Sequence, residues 1–266
     1  MPSSGQSAVS ERLKVSLVQD GIVWQDPASN RARYQEHFAA MDDTDLVVLP
    51  EFFSTGFYLD PKEKFETMDG ETVAWMTGCA KTMDAVVTGS LVMKLEEGYV
   101  NRMIWARPDG TLDWYDKRHL FRFGGEHRNF TGGHQRVVFE VNGWRVALFV
   151  CYDLRFPVWC RNTGDHDVAL YVANWPDARQ YAWDTLLRAR AIENQVYVVG
   201  VNRLGEDPIG NTFSGGSVIL DFLGKPIEDC GDRMCVVNAA LSRKAQEEFR
   251  AYFPASMDQD TFQIRD

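Results

Sequence analysis

Three features are missing from this sequence of 266 residues, and each absence argues against a class of function. No apolar stretch approaches the roughly 20 residues that a helix needs to cross a bilayer, so no membrane partner is expected. No long block of lysine and arginine occurs, and the formal net charge is −10, which disfavours a nucleic-acid partner. Neither of the glycine-rich motifs that cradle nucleotide phosphates is present.

Cysteine is also scarce, and the five cysteines form no dense framework. No C-x-x-C or H-x-x-x-H pair occurs, so a metal site is not expected. We expect every cysteine except Cys151 to be a buried free thiol, which is typical of a cytoplasmic protein. The cysteines are Cys79, Cys151, Cys160, Cys230 and Cys235.

The pattern along the chain predicts strands interleaved with helices and hairpins. Residues 14–19 alternate as a first strand, and Asp26 before a proline marks the start of a helix. Residues 45–50 are a continuous apolar run, as in a strand that is covered on both faces. Pro108-Asp109-Gly110 and Asn142-Gly143 predict hairpin turns. We therefore predict the α/β class, with mixed sheets covered by helices.

The domain organisation is predicted to be simple. Residues 1–10 are small and polar and lack the apolar centre of a secretory signal, so we interpret them as a flexible N-terminal leader. No linker or repeat interrupts the remainder, which favours a single domain over residues 11–266. The aromatic tail around Tyr252, Phe253 and Phe262 is a candidate dimer-side segment, with a frayed tail as the alternative.

Cys151 is the first candidate for chemistry. It follows the apolar strand at residues 145–150, and the pattern predicts a helix that opens near Asp153. A thiol at such a strand-to-helix elbow faces free helix N–H groups, which favour the thiolate and can hold an oxyanion. The alternative is a cysteine that only packs at the edge of the core.

Two charged residues follow other predicted strands. Glu51 lies between the buried run at 45–50 and two phenylalanines, and a carboxylate in such a place is costly unless it is paired or protonated. This favours a functional role as a general base. Lys117 follows the first hairpin and precedes an aromatic run, where a lysine is more often solvated.

Together these segments resemble the nitrilase (carbon–nitrogen hydrolase) superfamily. LPEFFSTGF, YDKRHLF and VCYDLRFP are similar to the ordered Glu, Lys and Cys motifs of that family. The resemblance extends from the first strand to about Ala240 and includes the stretch RARAIENQVYVVGVNR. It implies an α-β-β-α sandwich with two mixed sheets flanked by helices. It also implies that subunits pair through their helical layers into a homodimer or a larger homo-oligomer.

The resemblance also assigns roles, position by position. It makes Cys151 the nucleophile, Glu51 the general base and Lys117 the cation that stabilises the oxyanion. The backbone N–H of Tyr152 is the implied second oxyanion donor. Glu126, in FGGEHRNF, is the candidate for the second glutamate that orients substrate and lysine. The implied chemistry is amide hydrolysis through a thioester, which requires no metal or cofactor.

The pairing of CYDLRFP with VANWPDAR is similar to the omega-amidase group. This implies a small-molecule amide partner, such as 2-oxoglutaramate or 2-oxosuccinamate, whose carboxylate needs a cationic group in the pocket. Arg155 and Arg179 are candidates for that contact, and a surface or helix-capping role is the alternative for each. Trp175 and Phe123 are candidate pocket walls. Another short amide or an N-carbamoyl compound remains an alternative substrate.

Two other kinds of protein stay open at this point. A Cys–His hydrolase would place a histidine beside Cys151 and leave Glu51 and Lys117 incidental. A relative that binds a small molecule or a partner without catalysis is the alternative from another class.

Overall fold

Residues 10–264 are described by a computed structural model of the chain, in which two six-stranded sheets lie face to face. The predicted leader, residues 1–10, lies outside the described residues except for Ser10. The backbone N–H of Ser10 donates to the carbonyl of Asn142.

The first sheet is mixed, and its strand order is β14-β1-β2-β3-β4-β5. The central pairs β1–β2 and β2–β3 are parallel, whereas the outer pairs are antiparallel. Its strands are β1 (Arg12–Gln19), β2 (Leu46–Val48), β3 (Val86–Leu95), β4 (Gly98–Ala106), β5 (Leu112–Asp116) and β14 (Cys235–Ser242).

The second sheet has the order β13-β12-β9-β8-β7-β6, with parallel pairs β7–β8 and β8–β9 at its centre. Its strands are β6 (Val138–Val141), β7 (Trp144–Val150), β8 (Val168–Val172), β9 (Tyr197–Val201), β12 (Val218–Leu220) and β13 (Pro226–Asp229). A separate short hairpin joins β9 to β12 and consists of β10 (Leu204–Glu206) and β11 (Thr212–Ser214).

Helices cover the outer faces of the sandwich. On the first sheet, α1 (Pro27–Ala39) begins at the predicted cap, because the Asp26 carboxylate accepts a hydrogen bond from the Ser29 backbone N–H. The next helix, α2 (Glu71–Met83), packs on the same sheet. The second sheet is covered by α3 (Gln180–Asn194), and α4 (Arg243–Tyr252) follows the last strand.

Successive side chains along a strand point to opposite faces of the sheet, so they enter two different hydrophobic cores. Leu46 and Val48 of β2 join the core between the sheets, whereas Val47 and Leu49 pack beneath α1 and α2. A strand buried on both faces must be apolar at successive positions, which explains the continuous run that starts here. The fold is the predicted α-β-β-α arrangement of two mixed sheets flanked by helices.

Both predicted hairpin turns are confirmed, between β4 and β5 and between β6 and β7. The prediction of free thiols is wrong for Cys230 and Cys235, which form a disulfide. Cys230 directly follows β13 and Cys235 begins β14, and sequence spacing does not show that these two positions meet. Cys79, Cys151 and Cys160 are buried free thiols.

The helix predicted near Asp153 is shorter than expected. Residues Cys151–Arg155 form only a 3-10 turn, because the chain extends again at Phe156. In the C-terminal tail, the rings of Tyr252, Phe253 and Phe262 are exposed.

Candidate active site

Three strand ends bring the predicted catalytic side chains together. Glu51 comes just after β2, Lys117 directly follows β5, and Cys151 directly follows β7 of the opposite sheet. All three are buried, so Lys117 is not the solvated lysine that its sequence context favoured. Glu126, in a 3-10 turn after Gly125, is buried beside them.

The lysine links the two carboxylates. Lys117 Nζ donates to Glu51 Oε1 at 2.9 Å and to the two oxygens of Glu126 at 3.1 and 2.9 Å. The second oxygen of Glu126 also accepts from the backbone N–H of Phe121 at 2.5 Å. A buried ion pair is tolerated when hydrogen bonds satisfy its remaining atoms, and this cluster meets that condition.

Two asparagines that sequence reasoning missed complete the cluster. Asn101 Nδ2 donates to Glu51 Oε1 at 2.8 Å and to Glu126 Oε1 at 3.2 Å, so it bridges the carboxylates. The backbone N–H of Asn174 donates to Glu51 Oε2 at 2.8 Å. Both oxygens of the proposed base are therefore fixed by neighbours. In the sequence, the only indication of these two residues is that Asn101 lies within an apolar strand and Asn174 follows one.

Burial and charge act on these groups in opposite senses. Burial disfavours the Lys117 ammonium, but the charges of Glu126 and Glu51 raise the pKa of Lys117 above its usual value. Burial raises the pKa of Glu126 despite the opposing effect of Lys117. The charges of the two glutamates therefore favour the protonated form of Lys117, and burial favours the protonated form of Glu126.

The environment of Cys151 differs from the sequence prediction. Burial, followed by the negative charge of Glu51, raises the pKa of this thiol well above its usual value, and Lys117 only partly offsets this. The elbow alone was expected to favour a thiolate, and this expectation is wrong. Burial and the charge of Glu51 therefore favour the neutral thiol form of Cys151.

The backbone of both segments is strained. Cys151 has φ of 48° and Phe52, next to Glu51, has φ of 44°, in the left-handed region that non-glycine residues seldom adopt. Such strain persists only where the surroundings hold it in place, and it is common at active sites.

Asp153 fixes the cysteine segment to the lysine segment. Its Oδ2 accepts from Tyr115 Oη at 2.7 Å and from the Val150 N–H at 3.0 Å. Its Oδ1 accepts from the His119 N–H at 2.9 Å and lies 2.8 Å from His119 Nδ1. The residues before Cys151 and after Lys117 therefore share one buried carboxylate.

A cavity of about 440 Å³ opens onto Cys151. Trp175, Phe123 and Tyr152 line it, as do the predicted cations Arg155 and Arg179. Arg155 stacks over Trp175 and Arg179 stacks over Phe121, at 4.9 and 5.2 Å from the ring centroids. Among residues 10–264, no carboxylate forms an ion pair with either guanidinium group, so both charges are available to an anionic ligand.

A Cys–His hydrolase would need a histidine beside Cys151. In the described part of the chain, no histidine lines the cavity with Cys151. His119 is instead held by Asp153 and stacks on Phe156 at 3.7 Å between ring centroids.

Metal-binding clusters and membrane-spanning helices are both absent from residues 10–264. Between Ser10 and Ile264, no cluster of three or more His, Cys, Asp or Glu side chains is placed to hold a metal ion. None of the helices described above is both long and apolar enough to cross a membrane.

Comparison with known proteins gives consistent matches over nearly the whole chain. The carbon-nitrogen hydrolase family model matches residues 14–251. The omega-amidase YafV of Yersinia enterocolitica is 44% identical over 251 residues, which cover 94% of this chain and 98% of that protein. The 2-oxoglutaramate amidase of Bacillus subtilis is 32% identical, and the match covers 92% of this chain and 96% of that protein.

A solved structure is also similar. XC1258 from Xanthomonas campestris, described as a CN-hydrolase superfamily protein with an arsenic adduct in the active site, is 47% identical to this chain. The two folds superpose with a TM-score of 0.94, over 96% of this chain and all of the other.

Proposed function

Since this chain belongs to the carbon–nitrogen hydrolase family, in the omega-amidase-like branch of the nitrilase superfamily, we propose a substrate and a mechanism for its amide hydrolysis. The substrate is a short 2-oxo dicarboxylic acid monoamide, such as 2-oxoglutaramate or 2-oxosuccinamate. The products are the dicarboxylic acid and ammonia. The observation that carries this proposal is the buried thiol of Cys151 near the buried Glu51–Lys117 pair, in the lining of a cavity whose guanidinium groups, Arg155 and Arg179, form no ion pair among residues 10–264.

In the first step Glu51 takes the proton of Cys151 as the sulfur attacks the amide carbonyl. The raised pKa of the thiol supports this order, because a thiolate does not accumulate before substrate binds. The hydrogen bonds from Asn101 and Asn174 hold both oxygens of Glu51 in place for the transfer.

Negative charge then develops on the carbonyl oxygen. Lys117 and the backbone N–H of Tyr152 stabilise it, and a buried cation is more effective here than one in water. Glu126 holds the lysine through both carboxylate oxygens and orients the substrate amide. The C–N bond breaks, the nitrogen takes the proton from Glu51 and leaves as ammonia, and the acyl group remains on sulfur as a thioester.

Water completes the reaction. Glu51 removes a proton from a water molecule that attacks the thioester, and the thiol is restored when the acid leaves. No step needs a metal or an organic cofactor.

The far carboxylate of the substrate binds Arg155 and Arg179. Both line the same cavity as Cys151, and a planar guanidinium matches a carboxylate in geometry. Phe123 and Trp175 form apolar walls of this cavity.

Release of ammonia from 2-oxoglutaramate tests the proposal. We expect turnover by the wild type, none above background for Cys151→Ala, and normal turnover for Cys79→Ala, a matched buried thiol outside the cavity. Arg155→Gln and Arg179→Gln should raise KM about tenfold or more while Arg188→Gln does not. Turnover of a simple aliphatic amide or an N-carbamoyl acid in place of 2-oxoglutaramate would overturn the substrate assignment.

We also propose that residues 11–266 act as one domain that forms a homodimer in the cytoplasm. The exposed rings of Tyr252 and Phe253 are candidates for the interface. Light scattering at micromolar concentration tests this, and a monomeric mass would contradict it.

A further inference from the structure

The cavity above Cys151 is larger and more apolar than a small diacid monoamide needs. Its volume of about 440 Å³ lies within the range of roughly 300–1,000 Å³ that is typical for ligands of drug size. Besides the catalytic and cationic groups, its lining includes Trp24, Tyr58, Ile209 and Phe213. The chemistry and the carboxylate contact proposed above use none of these four side chains.

Ile209 is the most unusual of the four. Its side chain is 83% exposed, yet it lies on a firmly built turn between β10 and β11. The Asp207 carboxylate accepts from the Ile209 N–H at 3.1 Å and from the backbone and side chain of Asn211 at 2.9 and 2.7 Å. The turn therefore presents an apolar side chain at the rim of the cavity in a fixed position.

The other three rings are also held in place. Phe213 is buried and lies on the guanidinium group of Arg203, 4.6 Å from the ring centroid. Trp24 meets Tyr58 edge-on at 5.9 Å between centroids. A preformed apolar surface binds an apolar group with little ordering cost, so it contributes to affinity directly.

We propose that Trp24, Tyr58, Ile209 and Phe213 form an apolar subsite that binds an aryl or branched alkyl substituent on the acyl group of the substrate. The cations Arg155 and Arg179 line the same cavity, so the ligand is amphiphilic, with a carboxylate and an apolar group on one acyl chain. This inference rests on the proposed amidase function and extends its substrates to apolar-substituted diacid monoamides.

Binding of two unreactive diacids tests the subsite without turnover. Succinate and 2-benzylsuccinate share the carboxylates, and only the second has a ring for the subsite. Isothermal titration of the wild-type protein should give an affinity for 2-benzylsuccinate about tenfold or more above that for succinate, as expected when a ring leaves water. Equal affinities, or no binding of 2-benzylsuccinate, would overturn the proposal.

The variant Ile209→Ser localises the effect. It should reduce the affinity for 2-benzylsuccinate about threefold or more and leave succinate unchanged. Ile192→Ser, at another exposed isoleucine that does not line the cavity, should alter neither affinity. An equal loss for both ligands would contradict the assignment. The assignment would also be contradicted if Ile209→Ser dissociated a dimer and kept the preference for 2-benzylsuccinate. In that case a second copy of the chain, and not a ligand, would cover Ile209.

Kinetics separate this inference from the proposed function. If the enzyme hydrolyses 2-oxoglutaramate but binds 2-benzylsuccinate no more tightly than succinate, the proposed function is supported and the subsite is rejected. A preference for 2-benzylsuccinate that Ile209→Ser removes, without turnover of 2-oxoglutaramate, would support the subsite and reject that substrate.

Discussion

Replacement of Asp153 by asparagine isolates the contact that joins the cysteine segment to the lysine segment. The carboxylate has two donors on each oxygen, and one of each pair is a backbone N–H, from Val150 or from His119. An asparagine has one oxygen and one NH2 group. Whichever way its amide lies, the NH2 group faces one of these backbone donors.

The cost follows from this conflict. A buried N–H that loses its acceptor costs about 1–3 kcal/mol, and the bonds that survive weaken because their acceptor is no longer charged. We therefore expect Asp153→Asn to lower the free energy of unfolding by about 3 kcal/mol. The shift of Cys151 relative to Lys117 should lower kcat about 100-fold, since a displacement near 1 Å can cost that much.

Urea denaturation and steady-state kinetics at one temperature provide the measurements. Asp153 does not line the cavity, so kcat should fall while KM stays nearly constant. Asp221→Asn is the matched control, because that carboxylate also accepts two backbone N–H bonds, from Leu223 and Lys225, at a remote turn. Both of its bonds end on Oδ1, which an asparagine keeps, so this variant should retain both its stability and a normal kcat. An Asp153→Asn variant with unchanged kcat, or one in which only KM changes, would refute the positioning role.

Three further perturbations test other parts of the structure. Lys117→Met leaves two buried carboxylates without their cation. It should lower the free energy of unfolding, measured by urea denaturation, by about 3–5 kcal/mol and should lower kcat at least about 100-fold. A variant as stable as the wild type would contradict the role of the ion cluster. Asn101→Ala removes the donor between Glu51 and Glu126 and should lower kcat about tenfold, whereas unchanged turnover would show that the bridge is dispensable. Burial disfavours the charged form of Asp167, but the hydrogen bond and charge of Arg145 outweigh burial and hold the pKa of Asp167 below the usual 3.8. The ionised Asp167 therefore stabilises the folded protein above pH 3.8, and this contribution is lost as the pH falls through the lowered pKa. Asp167→Asn should flatten the acid limb of the unfolding free energy against pH, and a limb identical to that of the wild type would refute this.

The sequence predicts the strand-end residues well for a physical reason. Glu51 and Cys151 directly follow runs of buried apolar residues, where a polar side chain is conspicuous. The carboxyl ends of strands in stacked sheets converge, so residues at these positions are expected to meet. The family resemblance then supplies their order and their expected roles.

The supporting residues could not be found in this way. Asn101 lies within β4, and its place beside Lys117 depends on the antiparallel register of β4 with β5. The Lys117 N–H donates to the Asn101 carbonyl at 2.9 Å, which sets that register at the site. A single sequence gives no direct information on such pairing, and the same holds for the disulfide between Cys230 and Cys235.

The pKa of the Cys151 thiol also depends on parts of the chain that are distant in sequence. The local sequence around Cys151 indicates an elbow with donors, which favours a thiolate. Burial, followed by the charge of the Glu51 carboxylate from the other sheet, outweighs that local effect and raises the pKa of the thiol. An argument from neighbours in sequence cannot include a charge that arrives from a distant part of the chain.

The mass of the intact protein during turnover tests the central claim most directly. Wild-type enzyme quenched in acid with 2-oxoglutaramate should carry one acyl group, and peptide mapping should locate it as a thioester on Cys151. Cys151→Ala should carry none, and Cys79→Ala should behave as the wild type. An acyl group on another residue, or turnover that survives Cys151→Ala, would contradict the account.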